Sequence, residues 1–199
     1  MNMLTRNIIL LAIEAFGRKI EGRTMLQKRL YFLAEMLKQR YRDDPGFQHN
    51  AYYYGPYSSS IASDLTKLVN YRLLRENVVD FGTFNSAGFE VRKSEYELTP
   101  AANAALNWIE KQHREEAERI REIVQEIKSN TGGLDYFDLS IAAKAHWILT
   151  KAQEPMTSES VAREAKKLSW NVTDKQIEKG FKFLEKLGLI PEEATNGQH

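Results

Sequence analysis

Lys175, Lys179, Lys182 and Lys186 recur at spacings of four, three and four residues. On a helix that spacing makes one continuous stripe, and a row of ammonium groups on one face is what repeated phosphate contact requires. Ile177, Phe181 and Leu184 form a second stripe that would face a core. Glu178 and Glu185 intervene, so an ordinary solvated helix surface is the competing account. A second set, Ser59, Ser60, Ser63, Lys67 and Asn70, would point outward from a helix over 59–72. Asn and Ser can read base edges, but Asp64 opposes phosphate and no arginine precedes Arg72. This set suits DNA and a protein groove equally. Arg92 and Lys93, in a β-prone run, could reach a phosphate or a minor groove from a wing, or lie on a plain exposed strand.

Tyr52, Tyr53, Tyr54 and Tyr57 surround Gly55-Pro56. Alternate rings in an extended stretch could pack on a neighbouring helix with their hydroxyls in water. In the sharper account the outward tyrosines and the Ser58–Ser60 cluster contact phosphate at a helix N-terminus, where free amides favour anions. The histidines are His49, His113, His146 and His199, and no pair has metal-ligand spacing. There is no HExxH, no Gly-rich phosphate loop, no GxSxG and no SxxK. These patterns point to a protein that binds rather than catalyses, with no cofactor and no metal.

Composition sets the frame for those residues. The 199 residues are 42% hydrophobic and 28% charged, the range of an ordinary globular chain. The longest apolar run, Ile8 to Ile13, is far short of the roughly 20 residues that span a bilayer. No signal-peptide pattern opens the chain, and there are no cysteines, so a reducing cytoplasm is the expected location. Net charge is +1, yet residues 1–42 hold nine basic and three acidic side chains. That excess allows a basic face on the N-terminal helices, or simply a solvated surface.

The elements follow from periodicity and punctuation. Residues 4–16 read as a mostly buried helix. Thr24 and Gln27 have capping-box spacing for a second helix over 25–41, with Leu26, Leu30, Leu33 and Leu37 on its buried stripe. After Asp43-Asp44-Pro45-Gly46 comes an extended stretch, Phe47 to Tyr54, then the Gly55-Pro56 turn and the helix over 59–72. Two β-prone runs, 78–84 and 89–98, flank a hairpin loop at 85–88, and a parity shift predicts a bulge near Lys93-Ser94. Three helices followed by a hairpin is the order of a winged helix.

Pro100 opens a predicted connecting helix that runs to about Lys128 with a polar middle, Glu110 to Arg119. Asn130-Thr131-Gly132-Gly133 is the clearest linker. The last third repeats the plan of the first: an apolar helix from Leu139 to Leu149, a helix capped by Thr157, and a third whose capping box is Thr173 and Gln176. Leu68 to Leu74 matches Leu184 to Ile190 in pattern. The expected fold is mainly α, in the α+β class. A winged-helix module spans 1–100, a long connecting helix 101–130, and a second helix-turn-helix or winged-helix-like module 131–199.

Leu26, Gln27, Lys28, Leu30 and Tyr31, followed by Tyr54, Gly55 and Pro56, give the chain's first hundred residues a resemblance to the YwgA-like proteins of bacteria and archaea. More distantly they resemble the SocA-like antitoxin domain called Panacea. The resemblance implies an accessory module with helix-turn-helix character that regulates transcription or neutralises a partner protein, and it implies no catalytic residues. The leading expectation is therefore a DNA-binding regulatory or accessory protein of the antitoxin-like kind. The alternative is a protein-binding module, an antitoxin or complex subunit, on the same fold without DNA. The apolar seam of the connecting helix, Ile120, Ile123 and Ile127, needs a cover: the chain's own second module, a second copy in a homodimer, or a partner.

Overall fold

The apolar run at the N-terminus becomes α1 (Thr5–Ala15), in which six consecutive residues from Ile8 to Ile13 are buried. A run apolar on every side needs neighbours on every side, and α1 is the hub of the fold. The structure, a computed structural model, describes residues 3–84, 90–131, 134–152 and 154–190. Among these are eight helices and a three-stranded antiparallel sheet. After α1 come β1 (Lys19–Glu21), α2 (Arg23–Tyr41), α3 (Ser59–Asn70), β2 (Leu74–Phe84) and β3 (Glu90–Leu98). The remaining helices are α4 (Ala102–Gln112), α5 (Arg114–Asn130), α6 (Tyr136–Leu149), α7 (Ser158–Lys167) and α8 (Asp174–Lys186). The sheet order is β1-β3-β2, with Ile20 opposite Tyr96 and Leu74 opposite Leu98. All four of these side chains are buried against the helices.

Several sequence expectations are corrected. The second helix starts at Arg23 behind Gly22, whose φ of +89° suits glycine, so Thr24 is no N-cap and Gln27 completes no capping box. Strand β1 has no counterpart in the sequence reading. The register shift of the hairpin lies between Asp80 and Phe84 on β2; Val79 and Val78 pair regularly with Lys93 and Ser94, where the bulge is expected. The side chains of Arg92 and Lys93, and loop residues 85–88, lie outside the described residues.

The expected long connecting helix is two helices, broken at His113 with φ −138° and ψ 48°. The break lets α5 fold back, and Arg121 forms ion pairs with Glu110 of α4 and with Glu14 of α1 (3.3 Å). Ile120, Ile123, Val124 and Ile127 are fully buried against α1 and α2. Arg40 pairs with Glu126, Tyr41 donates to Glu122 at 3.1 Å, and Lys128 donates to the Ala15 carbonyl at 3.2 Å. The seam is thus covered within the chain, by α1 and α2 rather than by the last third, and is not a surface a second copy could occupy.

Much of the N-terminal excess of positive charge is paired or buried. Lys19 pairs with Glu95 at 2.8 Å, Arg23 with Glu76 at 2.9 Å and Lys38 with Glu35 at 3.1 Å. Lys28 is buried, and Arg29 lies over the Phe16 ring. In the last third, α6, α7 and α8 pack mutually as a three-helix unit. Thr157 and Thr173 cap as expected, the latter with the full capping box. The helices α3 and α8 also end alike. Arg72 and Gly188 both take positive φ, and the next amide bonds back five residues, Leu73 to Leu68 and Leu189 to Leu184. The buried apolar cluster is continuous from Met3 to Ile190. Among the described residues, no helix is long and apolar enough to cross a membrane.

Candidate nucleic-acid interface

The helix α8 buries Ile177, Phe181 and Leu184. Gly180 stands where α8 crosses α6: a Cβ there would lie 3.1 Å from the Ala142 Cα. With that face fixed, Lys175, Lys179, Lys182 and Lys186 all point to solvent. Lys179 reaches Asp138, on the first turn of α6, at 2.7 Å. Among the described residues no ion pair holds the other three. Asp174, Glu178 and Glu185 run as a parallel acidic stripe beside the row, so its positive field is one-sided.

The expected reading helix of the first module is weaker. Ser58 caps α3, accepting from the Ile61 amide at 3.2 Å. Ser59, Ser63, Lys67 and Asn70 are exposed, whereas Ser60 is half-buried with its hydroxyl 2.7 Å from that of Ser58. Lys67, the one cation of α3, is held by Asp64 at 2.8 Å. This helix has little charge to offer phosphate.

Apart from the exposed Tyr54, the residues that carry the family resemblance are buried joinery. Gln27 and Ser58 exchange two hydrogen bonds: the Gln27 amide donates to the Ser58 carbonyl at 3.0 Å and accepts from the Ser58 amide at 3.1 Å. Lys28 donates to the Pro56 carbonyl. The Tyr31 hydroxyl lies 2.7 Å from His146 Nδ1, joining α2 to α6 across 115 residues of sequence. Leu26 and Leu30 complete the buried face, and Pro56 is buried over it. Gly55, at φ +87°, is seated on α6: a Cβ there would lie 2.9 Å from Lys144 Cγ and 3.2 Å from the Ser140 carbonyl. Trp170, in the α7–α8 turn, donates its indole N–H to the Tyr52 carbonyl at 2.7 Å. Gly55→Ala combines backbone strain with contact against a helix. It should lower stability by about 2–4 kcal/mol, read as a urea midpoint shifted down at unchanged m-value.

Burial without a counter-charge governs the electrostatics of this junction. Lys28 is pushed down to about 7, first by desolvation and then by the neighbouring Lys144. His146 falls to about 4 through desolvation, with Lys38 adding to it. His49, packed edge-on to Tyr31, also falls to about 4, by desolvation and by Lys38 and Lys28. Burial lowers Lys144 and raises Tyr31. A neutral amine at Lys28 still donates to Pro56, so the hydrogen bond survives the loss of charge.

The wrap of the Tyr52–Tyr57 turn around α6 leaves rings outside. Tyr52, Tyr53 and Tyr54 are exposed, as are Tyr136 and Phe137 at the start of α6. Sequence reasoning reached the turn tyrosines, but not Tyr136 and Phe137, which sit 82 residues or more beyond Tyr54. Among the described residues no cluster of three or more His, Asp or Glu could hold a metal ion. No known protein family and no curated protein matches the chain.

Proposed function

We propose that the protein binds duplex DNA through the α6–α8 unit, as a non-catalytic regulatory or accessory protein of the antitoxin-like kind. The observation that carries this reading is the row of exposed lysines on α8, three of them outside any ion pair among the described residues. A third helix whose outer face is cationic, in a unit of three packed helices, suits the backbone of a duplex. The order α1-β1-α2-α3-β2-β3, with sheet order β1-β3-β2, supports a winged-helix reading of the first part. In this reading α3 supplies shape and polar contacts while α8 supplies charge.

Changing Lys175, Lys179, Lys182 and Lys186 together to Ala should weaken duplex binding at least about 100-fold at moderate salt. The slope of log affinity against log salt should fall by about 3–4 units. The loss should be nearly independent of DNA sequence, and changing all four lysines to arginine instead should leave binding intact. Titration of a labelled 20-base-pair duplex at several salt concentrations measures both quantities. An affinity and salt slope equal to those of the unaltered chain would end this assignment.

A further inference from the structure

The junction leaves flat aromatic rings exposed, and one lysine of the α8 row, Lys179, reaches the first turn of α6. Tyr53 is 69% exposed and Tyr52 62%. Tyr53 and Tyr54 pack edge to face at 4.8 Å, and Tyr52 and Tyr57 are tilted at 5.3 Å. Tyr136 lies near enough to Tyr54 to help hold its hydroxyl above the ordinary tyrosine range, behind burial and Tyr53. These rings are not on a loose loop. The turn is tied down by Trp170 to the Tyr52 carbonyl, by Lys28 to the Pro56 carbonyl, and by the seat of Gly55 on α6. Tyr136 and Phe137 open a helix whose N-cap, Asp135, accepts from the Phe137 and Asp138 amides at 2.9 Å. The next residue, Asp138, grips Lys179 of the lysine row at 2.7 Å. The first turn of α6 therefore carries two of the exposed rings and the contact to Lys179.

Every exposed large apolar side chain in this patch is aromatic: three tyrosines of the turn, with Tyr136 and Phe137. A lipid surface or a greasy protein groove calls for aliphatic side chains as well, and lysine is depleted from the core of protein interfaces. A polyanion with flat apolar rings matches both halves at once, since unpaired bases stack on aromatic faces while phosphates run along cations. In a duplex the bases are already stacked and have no use for these rings. We propose that the aromatic patch, Tyr52, Tyr53, Tyr54, Tyr136 and Phe137, is a stacking platform for unpaired bases, so that the protein takes single-stranded nucleic acid across the first turn of α6. The inference rests on the reading that the α8 lysines meet phosphate, and it adds a second strand form that the protein takes besides the duplex.

The test uses the full chain and two fluorescent probes, a 20-nucleotide oligothymidylate and a 20-base-pair duplex, followed by anisotropy. The Tyr53→Ala, Tyr54→Ala, Tyr136→Ala triple variant should bind the single strand at least about fivefold more weakly, with duplex affinity within twofold of the parent. The corresponding triple Phe variant should regain the single-strand affinity, because stacking needs the ring and not the hydroxyl. If the alanine triple does not fold, Tyr53→Ala alone, at the most exposed ring, carries the same comparison. Unchanged single-strand binding in the alanine variant would overturn the proposal. So would equal losses on both probes, or a phenylalanine variant as weak as alanine, which would assign the hydroxyls to phosphate. A parent chain that binds the duplex but not the single strand overturns this inference and leaves the duplex reading standing. Binding of neither probe overturns both and returns the patch to a protein partner.

Discussion

Ile120→Glu is expected to unfold the protein, not to release a subunit. Ile120 is fully buried on α5, between α1 and α2. Its neighbours along the seam, Ile123, Val124 and Ile127, are equally buried and offer a carboxylate no partner. An unpaired charge there must be desolvated or forced to bind a proton, and either route costs several kcal/mol. The whole stability of a domain is about 5–15 kcal/mol. A loss of about 5 kcal/mol in a chain of this size lowers Tm by roughly 10–20 °C. Thermal melts followed by circular dichroism should show that fall or no cooperative transition at all, whereas Ile120→Val should cost only about 1 kcal/mol. A monodisperse, folded Ile120→Glu protein with the parental Tm would mean that the seam is not closed by α1 and α2.

Stability should fall steeply as the pH drops from 6.5 to 4.5. His49 and His146 are both held near 4 in the folded chain, against 6.5 when free. Between those values the unfolded chain binds protons that the folded chain refuses, so stability rises with pH across the window and is lost on acidification. Each unit of depression corresponds to about 1.4 kcal/mol, so the two histidines together should remove roughly 3–5 kcal/mol by pH 4.5. Lys28, near 7 when folded and 10.5 when free, acts in the same direction over the alkaline window. Glu76, held below the ordinary carboxylate value against its burial by the Tyr96 hydroxyl, Ser94 and Arg23, and Glu110, held there by Arg121, add their own loss only below that value. Urea midpoints at pH 4.5, 5.5, 6.5, 7.5 and 9 measure the curve. His146→Gln can still accept from Tyr31 and cannot charge, so it should flatten the acidic limb by about half. A curve for the parent that is level from 6.5 to 4.5 would show that these rings are not buried neutral.

Local signals were legible wherever the stabilising partner lies within a turn of helix. Thr157, Thr173 with Gln176, and Ser58 all behave as their spacing says, because capping involves residues three or four apart. The outward row of lysines on α8 was legible for the same reason, since Ile177, Phe181 and Leu184 fix the opposite face. What could not be read are features decided by distant chain. Gln27 has the local spacing of a capping box with Thr24, yet its amide serves Ser58, 31 residues away. Strand β1 is three residues long, with only Ile20 buried between exposed Lys19 and Glu21, too short to show a period. The break at His113 follows no proline or glycine; tertiary contacts such as Arg121 with Glu110 accompany the fold-back. Tyr31 and His146 carry no mutual signal at a separation of 115 residues.

The fold-back of α5 sets the order in which this polypeptide can mature during synthesis. The helix α1 emerges first, but the faces of α1 and α2 that α5 covers stay bare until residues 114–130 have left the ribosome. At about 5–20 residues per second that interval is several seconds or more, long enough for a chaperone that holds apolar helices to engage the nascent chain. A gene fragment ending near residue 100, at the point where the sequence pattern invites a cut, would encode α1 and α2 without their lid and should be recovered as aggregate. Extending the fragment to residue 131 would supply the lid.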